Sequence, residues 1–227
     1  MYDVLLTIIM SHAFEQEESN TDWLVFLMVL FFIIALLWTH NEHSGTTGCF
    51  HGQNMVAMVY ESMKRCDQVV KGDVVLLADN THACVVCVVK NLKTPTNNIR
   101  LLKFPCGLIV TEYHPIKIQK WWCFPKDVPS NKYYNEDFDA VYSFLLETAD
   151  GSPVKHGMII QGIECAPLGH NIEEKVVEHH FFGNFESVKK ALSAGNPDQY
   201  EKGLVEITNT KRGPDNKVCG YIFNEVY

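Results

Sequence analysis

The chain has 227 residues, 47% of them hydrophobic, and a formal net charge of -8. That length and apolar content carry one ordinary domain with a substantial core and room for a small appendage. Neither the acidic start nor the mixed-sign remainder offers the clustered basic face that phosphate neutralisation requires, so nucleic acid is not expected as a partner.

Residues 1–22 form an acidic N-terminal segment: Asp3, Glu15, Glu17, Glu18 and Asp22 stand there, and no Lys or Arg occurs before Lys64. Residues 23–38, WLVFLMVLFFIIALLW, are sixteen consecutive apolar residues bracketed by Trp23 and Trp38. As a helix the run rises about 24 Å, short of a hydrocarbon core of about 30 Å, though the tryptophans suit the two interfaces. It is a candidate transmembrane helix, with a buried helix as the alternative. A signal peptide fits badly because the preceding segment is acidic. If the run spans, Lys64 and Arg65 place the C-terminal domain in the cytoplasm; otherwise the whole chain is expected to be cytoplasmic. Residues 39–48, THNEHSGTTG, lack periodicity and read as a linker. His40, His43 and the nearby His51 read as solvated histidines of that linker rather than metal ligands.

From Cys49 onward, short apolar runs are broken by Gly, Pro, Asn and Asp: MVAMVY, DVVLLAD, ACVVCVVKN, IRLLKF, GLIVTEY, HPIKI, AVYSFLLE and HGMIIQGIECAPL. Such runs predict many short antiparallel strands, so the body is expected to be all-β, a sandwich or barrel-like fold. FESVKKALSA has helical spacing with Gly195 as its stop, predicting a short C-terminal helix. GLVEITN and KVCGYIFNEV flank Gly213-Pro214-Asp215-Asn216 and predict a closing hairpin.

Eight cysteines are scattered through the chain, and their spacing is unlike a small disulfide scaffold, so reduced thiols are expected. Cys84-Val-Val-Cys87 has half the spacing of a zinc site, but it sits in a strand and no second such pair exists. No metal and no cofactor are expected. In Trp121-Trp122, strand alternation sends one ring towards the core and leaves the other outside.

Cys49 follows a glycine where linker becomes domain. Its sulfur is at five-membered-ring distance from the Gly48 carbonyl, so attack there would move the acyl group from nitrogen to sulfur and leave a thioester. An amide resists this unless its leaving nitrogen is protonated and the developing oxyanion or the amide is held. Histidine is the natural proton donor near neutral pH. In GLIVTEYHPIKI, Thr111 and His114 stand three apart where a strand ends at Pro115, a spacing that can aim a hydroxyl and an imidazole into one site. On their own, such residues are more often a buried apolar cysteine and a hydrogen-bonded structural histidine.

The order of several blocks resembles the Hint (hedgehog/intein) family of self-processing domains, and within it the branch attached to von Willebrand-A-type proteins. CFHGQNMVAM resembles the family's nucleophile block, VVKGDVVLL the strand after it, and LIVTEYHPIKIQKWWCFPKDV its Thr-x-x-His block. DAVYSFLLE and HGMIIQGIECAPLGHN resemble its final blocks. The resemblance covers residues 49–208 and implies a Hint-like compact β fold, with residues 209–227 as a C-terminal strand and tail. It further implies catalytic roles for Cys49 as acyl acceptor, Thr111 as amide-orienting hydroxyl and His114 as donor to the leaving amine. His156 matches the penultimate-block histidine, and His170-Asn171 the terminal His-Asn pair, whose asparagine cyclises in inteins.

Two departures shape the expected reaction. Ile172 stands where a splicing intein is followed by Cys, Ser or Thr, and it cannot accept an acyl group. Ser143 stands where many inteins carry an aspartate, which weighs against coupled splicing. The expectation is therefore self-cleavage of the Gly48–Cys49 bond by a single-turnover domain. Its own N-terminal segment is the substrate, and water, a thiol or an amine resolves the thioester. The alternatives are a Hint-like binding or structural module that has lost its chemistry, and a turnover enzyme using Cys49 and His114 on other substrates. A sterol-recognition region, which hedgehog-type transfer needs, is not identifiable.

Overall fold

The computed structural model describes residues 23, 26–29 and 48–224. Residues 23 and 26–29 are helical. The candidate membrane span of residues 23–38 therefore lies mostly outside the described residues, as do His40 and His43. Among the described residues, no helix is long and apolar enough to cross a membrane.

The body is built almost wholly from strands, in chain order β1 Phe50–His51, β2 Met55–Ala57, β3 Met63–Arg65, β4 Val74–Leu76, β5 His82–Leu92, β6 Leu101–Lys103, β7 Ile109–Thr111 and β8 Ile116–Ile118. They continue with β9 Trp121–Cys123, β10 Lys132–Tyr133, β11 Ala140–Glu147, β12 Met158–Ile160, β13 Ile163–Cys165, β14 Leu204–Arg212 and β15 Val218–Phe223. Two short helices, α1 Phe185–Gly195 and α2 Pro197–Lys202, precede β14. The all-β expectation, the C-terminal helix and the closing hairpin all hold.

Among the described residues the strands form two sheets. The larger has nine strands in the order β10-β6-β7-β1-β11-β5-β14-β15, with β4 also on β5; the smaller has six, β3-β2-β12-β13-β8-β9. All pairings are antiparallel except β5 with β14. A core of Phe50, Val56, Val75, Val110, Ile116, Phe144, Leu146, Met158 and Ile160, all essentially buried, joins the two sheets. At roughly 1.5–3 kcal/mol for each such side chain, this apolar cluster anchors the short strands that could not stand alone.

The opposite face of the large sheet carries the remaining two clusters. One is covered by α1, whose Phe185, Val188 and Leu192 recur at helical spacing and pack over Leu145, Val205 and Ile207. Asn184 starts this helix, its side chain accepting the Ser187 N–H at 2.8 Å. The other cluster gathers Cys49 with Leu101, Ile109 and Val141. β14 runs through residue 208 and pairs with β15, Thr210 opposite Tyr221, so the large sheet continues well beyond that position.

His51 corrects an expectation. It is 6% exposed, packed beside Tyr134 and Phe138, with its Nδ1 accepting the Gln53 N–H at 3.2 Å. It is a core histidine on β1 and no part of a solvated linker. Of the tryptophan pair, Trp121 is 78% exposed and Trp122 is partly buried, with the Lys117 ammonium over its ring, as alternation predicts. No cysteine among the described residues is in a disulfide.

Candidate functional site

The site forms because β1 lies between β7 and β11. Phe50 is opposite Val110 on one side and Tyr142 on the other. Stepping back one residue sets Cys49 between Thr111 and Ser143, and residues opposite one another in antiparallel strands share a face. Three polar side chains from segments far apart in sequence thus converge on one row of the sheet.

Their hydrogen bonds address a single peptide group. The Cys49 N–H donates to Thr111 Oγ1 at 3.0 Å, while the Thr111 N–H donates to the Cys49 carbonyl at 3.0 Å. Ser143 Oγ lies 2.6 Å from the Gly48 carbonyl oxygen and 3.1 Å from Cys49 Sγ. Both ends of the Gly48–Cys49 amide, its N–H and its C=O, are therefore held by side-chain hydroxyls. Cys49 is 0% exposed, and Thr111, His114 and Ser143 are each 2% exposed, so this happens out of reach of bulk water.

His114 reaches the same amide from the turn after β7. Its backbone N–H closes that turn onto the Thr111 carbonyl at 3.2 Å, and the following Pro115 accepts the Ala166 N–H at 3.0 Å. The ring packs against Phe50, centroids 4.1 Å apart, and against Gly48. A Cβ at Gly48 would stand 2.6 Å from His114 Nδ1, so the imidazole occupies the space that any other residue would need there. Neither ring nitrogen completes a hydrogen bond of ordinary geometry in this resting state.

Burial pushes the His114 imidazole down to about 3, a shift that nearby backbone groups of Gly48 and Ala166 oppose only weakly. At neutral pH the ring is uncharged, whereas the sequence pointed to a histidine titrating near pH 7. Desolvation decides the difference, and the sequence carries no direct sign of it.

His170 is also buried, 3% exposed, and burial lowers it to about 4, with the neighbouring His179 adding to the effect. It lies near enough to His114 to bias that ring against protonation. Its Nδ1 accepts the Ile172 N–H at 2.8 Å. Asn171 is exposed and left-handed, φ 48°, and its Oδ1 accepts the Phe185 N–H at 3.2 Å, tying the chain to the first turn of α1. His156 sits at an exposed turn, its Nε2 3.4 Å from Asp79 Oδ2, with 52% of its side chain exposed. The structure thus brings Cys49, Thr111 and His114 together, places His170 behind them, and leaves His156 and Asn171 at the surface.

Ser143 is the residue that sequence reasoning undervalued. AVYSFLLE is legible as a strand, but its register against a two-residue strand ninety-odd positions earlier is not. A cleft of about 90 Å³, lined in part by Asn91, Asn98, Asn209, Val141 and Thr111, lies beside Thr111 on the same face of the sheet. Its lining is polar but uncharged apart from the apolar wall, and it has room for about three waters.

The family model Vint, described as a Hint-domain, matches residues 48–220. No curated protein matches the chain. Among solved structures, the gp41-1 intein is 16% identical, with 53% of this chain and 99% of that chain covered and a TM-score of 0.36. A DnaB intein from Synechocystis sp. PCC 6803 is 12% identical with the same coverages and TM-score, and the MchDnaB-1 intein is 15% identical, covering 52% and 98%, with a TM-score of 0.33.

Proposed function

The chain belongs to the Hint-domain family of autoprocessing domains, and from that premise we propose that it cleaves its own backbone at Gly48–Cys49 through an N–S acyl shift. Cys49 Sγ attacks the Gly48 carbonyl carbon, forming a C–S bond while the carbonyl oxygen takes up the electron pair and a proton. The tetrahedral intermediate then collapses with loss of the C–N bond. The neutral His114 ring first takes the proton that the intermediate's hydroxyl oxygen gives up and then, as an imidazolium, passes a proton to the Cys49 nitrogen, which leaves as an amine. Overall the thiol proton ends on the amine, and residues 1–48 are held as a thioester.

The observation that carries this reading is the grip on one amide. Thr111 Oγ1 orients the N–H, Ser143 Oγ holds the C=O, and His114 lies against Gly48 with its ring nitrogens unengaged. A buried ring donor whose backbone neighbours at Gly48 and Ala166 are poorly aligned costs up to about 1–3 kcal/mol in the resting state, and a charge developing on the scissile group would relieve it. Because His114 is neutral at pH 7, it accepts a proton within the reaction before it gives one to the leaving nitrogen, and its positive charge exists only during that step.

The domain organisation follows the same reading. Residues 1–22, 23–38 and 39–48 make up the released segment, residues 49–208 the processing domain, and the strand and tail after residue 208 complete its sheet. Assignment to the von Willebrand-A-associated branch is supported by continuation of the fold past Asn171 through α1 and the β14–β15 hairpin. Water, a thiol or an amine resolves the thioester, and the cleft beside Thr111 offers a polar route for it.

Trapping with hydroxylamine tests the proposal. The expected product is a fragment of residues 1–48 ending in a hydroxamate, formed by the wild type and not by Cys49→Ala. Full-length wild type that yields no such fragment would overturn the reading and leave a Hint-like module without chemistry.

A further inference from the structure

The Ser143 hydroxyl has one proton and two neighbours, the Gly48 carbonyl oxygen at 2.6 Å and Cys49 Sγ at 3.1 Å. If the proton pointed at sulfur, two oxygen lone pairs would face each other at 2.6 Å inside a buried site, which is strongly unfavourable. An O–H donating to the carbonyl makes that separation an ordinary short hydrogen bond. The 3.1 Å contact is then S–H donating to Oγ. The sequence of donors runs from thiol to hydroxyl to carbonyl, and each bond polarises the next.

From this we propose that Ser143 is a catalytic residue that relays the Cys49 thiol proton to the Gly48 carbonyl oxygen as sulfur attacks. The proposal rests on the acyl-shift reading above. In the step, S–H breaks as S–C forms, the thiol proton passes to Ser143 Oγ, and the original hydroxyl proton passes to the carbonyl oxygen as its π bond opens. Ser143 ends as it began, and the adduct is neutral.

The relay explains how such a buried site can work. Cys49 is 0% exposed and His114 is uncharged at neutral pH, so a separate thiolate and oxyanion would each stand in a poorly solvating environment. Moving two protons together avoids forming either charge. An ionised carboxylate at this position could accept the thiol proton but would have none to give the carbonyl oxygen. The serine that departs from the intein pattern therefore supplies a different means of activating the same bond.

The test is a set of single-turnover rates on the full chain with dithiothreitol, followed by mass. Ser143→Ala is expected to slow cleavage by about 10²-fold or more, the range for loss of a positioned proton-transfer group. At dithiothreitol concentrations above which the rate no longer rises, so that the acyl shift and not its resolution is limiting, its rate is expected to rise close to tenfold per pH unit between about pH 6 and 8, because attack must then wait for thiolate, whereas the wild type stays nearly flat. Ser143→Thr, which keeps the hydroxyl, is expected to restore most of the rate and the flat profile. Since Ser143→Ala could also perturb folding, wild-type rates in mixtures of light and heavy water provide a second readout: two protons in flight give a curved dependence on deuterium fraction. A Ser143→Ala rate and pH profile equal to wild type, or a linear isotope dependence, would overturn the relay while leaving the acyl shift standing. An inert wild type would overturn both.

Discussion

The two ends of the resembling region, Gly48–Cys49 at its start and His170–Asn171 near its close, use the same kinds of polar side chain to opposite effect. At the first, hydroxyls from β7 and β11 hold the atoms of one peptide bond, and an imidazole with unengaged nitrogens lies against it. At the second, His170 accepts the Ile172 N–H and Asn171 accepts the Phe185 N–H, so both side chains stabilise a chain that continues. In the proposed reaction the first set acts on the backbone, while the second is bonded to the backbone of the segment that follows it. His170 and Asn171, which match a catalytic pair in sequence, are bonded here to the segment after them, which folds back over the sheet.

The largest expected effect breaks the two ends apart directly. Cys49→Ala should abolish cleavage, a loss of at least about 10³-fold, since it removes the sulfur that attacks that carbonyl. Asn171→Ala should leave the cleavage rate within about twofold while lowering stability by about 1 kcal/mol through loss of the Phe185 N–H acceptor. Rate by mass and midpoint by thermal unfolding separate these. A cleavage rate that falls with Asn171 would erase the distinction.

Thr111→Val sharpens the comparison at the first end. It removes the acceptor of the Cys49 N–H and leaves that donor buried, costing about 1–3 kcal/mol of stability, and should slow cleavage by about 10²-fold. Gly48→Ala is expected to do less, roughly tenfold, because the new methyl group would stand 2.6 Å from His114 Nδ1 and displace the ring without removing it. Both are read from single-turnover time courses.

The smallest effect is shared by both ends and concerns acid. His114 and His170 titrate at about 3 and about 4 when folded, against an ordinary value of 6.5. The unfolded chain therefore binds more protons below that ordinary value. Their contribution is fully present above about pH 6.5 and is lost as pH falls through the interval towards 4 and 3, by at most about 1.4 kcal/mol per pH unit for each histidine. Denaturant midpoints measured from pH 7 to pH 4 should fall, and less steeply in His170→Gln.

Much of the fold was legible in the sequence. The run AVYSFLLE coincides with β11, FESVKKALSA with α1, and the segments around Gly213-Pro214 with the β14–β15 hairpin. The strands that were not legible, Phe50–His51, Met63–Arg65 and Lys132–Tyr133, are two or three residues long and establish no periodicity of their own; tertiary pairing makes them strands. The Thr111–His114 pair was legible from its spacing together with the family pattern. The role of Ser143 was not, because it depends on sheet register, nor was the neutrality of His114, because it depends on burial. The bond from the Phe185 N–H to Asn171 was not legible either, because nothing local in the sequence shows which backbone N–H that amide will meet.

The central claim is most directly tested by the intact mass of freshly purified full-length protein before and after incubation with dithiothreitol. The account predicts a new species whose mass and N-terminal residue correspond to a chain beginning at Cys49, with no cut after Asn171. A chain that stays whole under conditions where it is folded, or one that is cut after Asn171 instead, would contradict it.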